Sequence, residues 1–176
     1  IAVGMTLFVG QFAFLFPAMK LGMPPGLASV TLQSQAFLTI LFAAFALGER
    51  PRPRQLAGAG VAALGLLTIA TTVGGDFTVV GLGLTLASAQ SWALGNVLMR
   101  GTGKVDMLPM MVWLSLVPPI PLFGLSLVLE GWPAIVSGVT GMGLVGAGSV
   151  LYLALLATLV GFGLWGFLLK SHPAST

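Results

Sequence analysis

The feature that most constrains this chain is where its charges are not. Charged side chains occur only at Lys20, in the cluster Glu49 to Arg54, at Asp76, in the cluster Arg100 to Asp106, at Glu130 and at Lys170. The stretches between are uncharged and apolar. Each is long enough to cross a hydrocarbon core of ~30 Å, which takes ~20 helical residues. Six spans are predicted: Ile1–Met19, Pro24–Gly48, Gln55–Val73, Val79–Met99, Met107–Leu129 and Met142–Leu169. The last is over-long and is expected to begin several residues later. Barrel strands would be ~10 residues of alternating polarity, and no such alternation is sustained here.

Composition supports the same reading. Only 6% of residues are charged and 57% are hydrophobic, with mean hydropathy +1.06. A water-soluble domain carries roughly a quarter charged residues, so there is too little charge to cover a surface facing water. The 25 glycines and 11 prolines do not signal disorder, which requires low hydrophobicity. Glycine also lets transmembrane helices approach closely. The net charge of +3 lies in short clusters and forms no extended basic face, so nucleic acid is not an expected partner. Cysteine is absent, which excludes disulfides, thiolate catalysis and Cys metal sites. No charged segment precedes the first apolar run, which argues against a signal peptide and for a chain lacking its original N-terminus.

Loop charges set a direction. Arg50, Arg52, Arg54, Arg100, Lys104 and Lys170 fall in the second, fourth and sixth loops, and only Lys20 falls in an odd-numbered one. By the positive-inside rule the even loops are cytoplasmic. Both ends of this chain are therefore expected inside.

A shift of 150 residues lays Phe12–Lys20 over Phe162–Lys170, matching Phe12 with Phe162 and Lys20 with Lys170. The two spans are five crossings apart and so run in opposite directions. Inverted repeats are a common architecture of secondary transporters. A five-span unit would need two further spans on each side, so this chain is expected to be the middle of a ten-span protein.

Several runs carry a family likeness: MPPGLAS (Met23–Ser29), QSQAF (Gln33–Phe37), GER (Gly48–Arg50) and SWALGN (Ser91–Asn96). With them the chain resembles the EamA family of the drug/metabolite transporter superfamily, and within it the bacterial exporters of O-acetylserine and cysteine. The resemblance implies an all-α integral membrane fold, with six helices seen here of a ten-helix, inverted 5+5 transporter. It implies that residues 1–73 are the last three helices of the first EamA repeat, and 74–176 the first three of the second. It also implies an inner-membrane exporter of small metabolites, often amino acids. The family's first two and last two helices are missing, so their part in site or coupling does not carry over.

Polar groups within lipid are costly unless paired. In the fourth span Thr85, Ser88, Trp92 and Asn96 recur at helical spacing and form one stripe. It is either a cavity wall or a packing face; Thr85 and Ser88 suit packing, and Asn96 and Trp92 suit either. The second span has two stripes, Gly26, Ser29, Gln33 and Ala36 on one and Thr31, Gln35 and Thr39 on the other. Gln33 and Gln35 lie ~200° apart. One is expected to contact substrate and the other to bond a neighbouring helix, with this span packed on two sides. Gln11 is mid-depth in the first span, as structural hydrogen-bonder or ligand contact. Trp165 shares a face with Thr158 and Gly161 and either shapes a cavity or packs. The candidate substrate-binding residues are thus Gln11, Gln33, Gln35, Trp92, Asn96 and Trp165.

Trp113 and Trp132 read as interfacial anchors. Pro118, Pro119 and Pro121 each remove an N–H, giving a kink or a broken helix. Gly58/Ala62 and Ala59/Ala63 have packing spacing. Glu49 and Arg50 are solvated helix-end charges or a gating pair.

These uncharged amides, hydroxyls and indoles suit a neutral or zwitterionic solute. A secondary exporter working by alternating access is the leading reading, with a channel or structural subunit as the alternative. An intramembrane enzyme would need paired carboxylates, Ser with His, or a metal cluster in the spans. Asp76, Asp106 and His172 all lie outside them. Neither metal nor cofactor is implied. The expected partners are a small-molecule substrate and the lipid bilayer, and self-association as a homo-oligomer is left open. No ionisable group lies deep in a span to relay protons, and no ATP-binding loop is present.

Overall fold

The computed structural model describes residues 1–72, 77–101, 107–161 and 164. The described residues are helical, with no strand among them. They form two units, Ile1–Gly103 and Lys104–Thr176.

The first unit has four helices: α1 (Ala2–Lys20), α2 (Pro25–Leu47), α3 (Pro53–Thr72) and α4 (Val79–Arg100). Helix α1 is wound as a π-helix over Met5–Gly10 and tolerates Pro17 in its last turns. It closes through Gly22, whose φ of +98° lies in the left-handed region that favours glycine. Pro25 then opens α2 at a position where its missing N–H costs nothing. Helix α2 tightens at Gln33 and Ser34, whose N–H groups bond the carbonyls of Val30 and Thr31 three residues back. It ends at Gly48, also left-handed, with φ +66°.

Helix α4 is the centre of this unit. Its N-terminus is capped by Thr78, whose Oγ1 accepts from the Gly81 N–H at 3.0 Å and donates to the Leu21 carbonyl at 2.5 Å. Its buried residues are Gly81, Thr85, Ser88, Ala89, Ala93, Gly95 and Val97. Such small side chains let backbones close in. A Cβ placed on Gly95 would lie 2.6 Å from Leu7 Cγ, and one on Gly10 would lie 2.1 Å from Ser91 Oγ. Helix α1 runs antiparallel to α4, with Thr6 bonded to Ser91, Gln11 to Ser88 and Leu21 to Thr78. Helix α2 runs parallel, with Met23 beside Gly81 and Thr39 beside Asn96.

The second unit contains α5 (Met107–Ser115), α6 (Pro119–Leu129), α7 (Trp132–Thr140) and α8 (Leu144–Leu151), the last continuing as a π-helix to Val160. The proline cluster interrupts the backbone between Ser115 and Pro119, where Leu116 and Val117 make three-residue bonds. The ladder resumes from Leu122 to the Pro118 carbonyl, and Pro109–Leu129 still counts as one span of 21 residues. The outcome is a kink.

Three described helices are both long and apolar enough to cross a membrane: Ala2–Lys20, Pro25–Leu47 and Pro109–Leu129. The bent pair Trp132–Thr140 and Leu144–Thr158 meets the same requirement only when its two helices are taken together. Helices α3 and α4 have 20 and 22 residues and coincide with expected spans. Rich in Gly, Ala, Ser and Thr, they are less apolar than those three. One feature differs from the sequence reading. The segment before Met142 is not an open loop but holds helix α7, bent by 96° from its successor. Gly131, with φ +81°, and Pro133 at the first helical turn start this helix, and Gly141 and Gly143 end it. Large apolar side chains such as Phe45, Val61, Ile120 and Val128 are more than 70% exposed. In water such a surface would aggregate; in lipid it is the expected one.

Candidate transport site

Helix α4 carries the predicted polar stripe, and each member now has a setting. Thr85 is fully buried and bonds the Gly81 carbonyl of its own helix at 2.8 Å. Ser88, also fully buried, donates to the Gln11 carbonyl of α1 at 2.8 Å. Both serve packing. Trp92 is half-buried and meets Phe8 of α1 edge to face, with ring centroids 6.2 Å apart. Asn96 extends Nδ2 to Thr39 Oγ1 of α2 at 3.4 Å, and Thr39 donates in turn to the Gln35 carbonyl at 2.7 Å.

Helix α2 gives its two glutamines different settings. Thr31 and Thr39 are buried and Gln35 is half-buried, whereas Gly26, Ser29, Gln33 and Ala36 are all exposed. The buried face is the one that meets α4, while α2 also borders α3. The reason is that α4 offers its small residues to the Thr31, Gln35 and Thr39 face. Gln33 is not brought together with the other candidates, and Trp165 lies outside the described residues.

The helix registers place these groups in height. Gln11 is level with Ser88 through their hydrogen bond. Gln35 precedes Thr39 by one turn, which on a parallel helix puts it near the level of Trp92. Gln11 and Gln35 are therefore about one turn, ~6 Å, apart in depth, and both are near the middle of α4. Here lie three buried polar atoms without a hydrogen-bond partner among the described residues: Gln11 Oε1, Gln35 Oε1 and Ser34 Oγ. Sequence reading singled out both glutamines but not Ser34, whose hydroxyl resembles any other in an apolar helix.

At one end of the same helix pair, Arg100 Nη1 meets Glu49 Oε2 at 2.9 Å, each side chain about half exposed. The sequence offers Glu49 and Arg50 as solvated helix-end charges or a gating pair; the structure pairs Glu49 with Arg100. Gly48 ends α2 and Glu49 follows it, level with the end of α4; a single sequence offers no sign of that. A separate cavity of about 280 Å³ lies between α2, α3 and α4, lined by Met23, Leu27, Phe37, Leu66 and Leu82, with Thr31 as its polar contribution. It offers almost no handle for a polar solute. The polar belt, not this cavity, offers hydrogen-bonding groups to a polar solute.

No family model matches the chain, and no solved structure matches it. Curated relatives do. The chain is similar to named exporters. It is 41% identical over 175 residues to the "Probable amino-acid metabolite efflux pump" of Escherichia coli (strain K12), covering 96% of this chain and 58% of the relative. The protein of the same name in Salmonella typhimurium is 42% identical over the same shares. The "Probable terminal-alkyne amino-acid exporter" of Streptantibioticus cattleyicolor is 30% identical over 82% of this chain and 47% of its own length. The chain thus spans a little over half the length of the first two.

Proposed function

We propose that this chain is the central part of a secondary inner-membrane exporter of small amino-acid-related metabolites, with cysteine and O-acetylserine as the leading candidates. The observation that carries the reading is 41% identity, sustained over 96% of the chain, to a protein named as an efflux pump for such compounds. The uncharged belt on α1, α2 and α4 supports it. Amides, a hydroxyl and an indole at mid-depth suit a zwitterion, which brings its own opposite charges and needs neutral donors and acceptors.

In this reading residues 1–73 close a first EamA repeat and 74–176 open an inverted second one. The halves rock about a midplane site to expose it alternately to each side. Gln11, Gln35, Trp92 and Asn96 contact the solute; Gln33 and Trp165 are assigned by sequence alone. Both ends of the chain lie in the cytoplasm. The test is efflux of labelled cysteine and O-acetylserine from proteoliposomes holding the complete protein. Saturable export of either, weakened by Asn96→Leu, is expected. Non-saturable leakage would favour a channel, and no movement at all would end the exporter reading.

A further inference from the structure

We infer that α7 lies in the membrane plane, with one face sunk at the boundary between lipid headgroups and acyl chains, and that it binds there without anionic lipid. At ~100° per residue, Trp132, Ile135, Val136 and Val139 fall within one apolar arc of ~100°. The opposite side holds Pro133, Ala134, Ser137, Gly138 and Thr140, all small or polar. A stripe of this kind needs an apolar partner. Among the described residues no protein surface supplies it, since Trp132, Val136 and Val139 are 60%, 40% and 65% exposed.

Where the helix sits decides what covers that face. Helix α6, against which α7 packs, carries side chains open to lipid, Ile120 and Val128 each being 82% exposed. It ends at Glu130, an exposed carboxylate that belongs at the water side of the boundary. Two residues later Trp132 opens α7, with an amphipathic ring suited to the headgroup level. Helix α8 then starts at Leu144, with no charged residue before Lys170. Helix α7 therefore joins two apolar segments on the side of the bilayer where Glu130 emerges. It is bent by 96° from α8, so it runs along the surface, and its nine residues reach only ~13 Å, too short to span. The lipid that covers α6 continues over the apolar arc of α7. Because the polar side of α7 bears no charge, apolar insertion holds it, with no contribution from anionic headgroups.

The experiment puts one spin label at a time on the complete protein in phosphatidylcholine vesicles. This chain has no cysteine of its own, and any cysteine elsewhere in the protein is first replaced by serine. Labels enter at Ile135→Cys, Val136→Cys and Val139→Cys on the apolar arc, and at Ala134→Cys, Ser137→Cys and Gly138→Cys opposite. Collisions with oxygen, which concentrates in lipid, and with a water-soluble nickel chelate are measured at each site. Oxygen should exceed nickel several-fold on the arc, the order should reverse opposite, and neither should change when phosphatidylglycerol is mixed in. None of the six sites is buried, so the labelled forms should melt with the parent. Low access to both reagents on the arc, or unfolding confined to labels there, would show that protein covers this face and overturn the inference. So would nickel access all round, which puts α7 in water, or depth increasing steadily from 134 to 139, which makes it re-entrant. Labels that move deeper with phosphatidylglycerol would overturn the claim that charge plays no part. Every one of these outcomes leaves the exporter reading untouched.

Discussion

The buried hydroxyl of Ser88 on α4 donates to the backbone carbonyl of Gln11 on α1 at 2.8 Å, joining the two helices at the level of the polar belt. The carbonyl it meets lies just after the π-helical stretch Met5–Gly10, where the wider winding disturbs the regular helical ladder. Ser88→Ala removes that interhelical bond and should cost about 1 kcal/mol. Ser88→Val adds bulk to a seam with no spare room and should cost about 1–3 kcal/mol. Thermal unfolding of the purified protein in detergent measures both, and equal stability of all three forms would show that the bond contributes nothing.

Gly10 and Ser91 form the tightest crossing of the same seam. A methyl group at Gly10 would sit 2.1 Å from Ser91 Oγ but 3.2 Å from Ser91 Cβ. Gly10→Ala alone should therefore destabilise by about 1–3 kcal/mol. In a Ser91→Ala background the same change should cost clearly less, because the clashing atom is gone. A double-mutant cycle reads this coupling directly; strict additivity would show that the helices are farther apart here.

Glu49 and Arg100 tie the ends of α2 and α4, but each is about half exposed. A pair of this kind contributes about 0.2–1 kcal/mol, and less at high salt. Glu49→Gln should be mild, and Glu49→Arg worse in isolation than combined with Arg100→Glu. Stability measured at low and high ionic strength tests it. A loss well above that range, unaffected by salt, would mean that the pair is shielded from water.

Asn96 should matter to transport more than to folding. Its contact with Thr39 is long, at 3.4 Å, so Asn96→Leu should change stability by less than about 1 kcal/mol. If Asn96 meets the solute, the same variant should lose about tenfold in export efficiency, the equivalent of about 1.4 kcal/mol. Proteoliposome efflux beside a melting curve separates the two effects.

Much of this was readable in the residues. The gaps between charged clusters anticipated every long described helix, because lipid forces the backbone to bond within itself and leaves helix as the simplest solution. The 3.6-residue period brought out the stripe on α4 and both stripes on α2. Helix α7 was missed. Its nine residues, Trp132–Thr140, are too few for a span, and its start depends on a left-handed Gly131 that looks like any other glycine in the sequence.

Alone, then, the sequence determined the helical class, the limits of the long helices, and which turns carry polar groups, since all of these depend on the spacing of residues along one chain. Only tertiary structure decided that Gln35 turns inward while Gln33 stays exposed, and that Glu49 pairs with Arg100. Those depend on which helix faces which, and that is settled by shape. The glycines and alanines of α4 admit α1 and α2 closely on particular faces, and nothing in a single helix's periodicity reveals its neighbour.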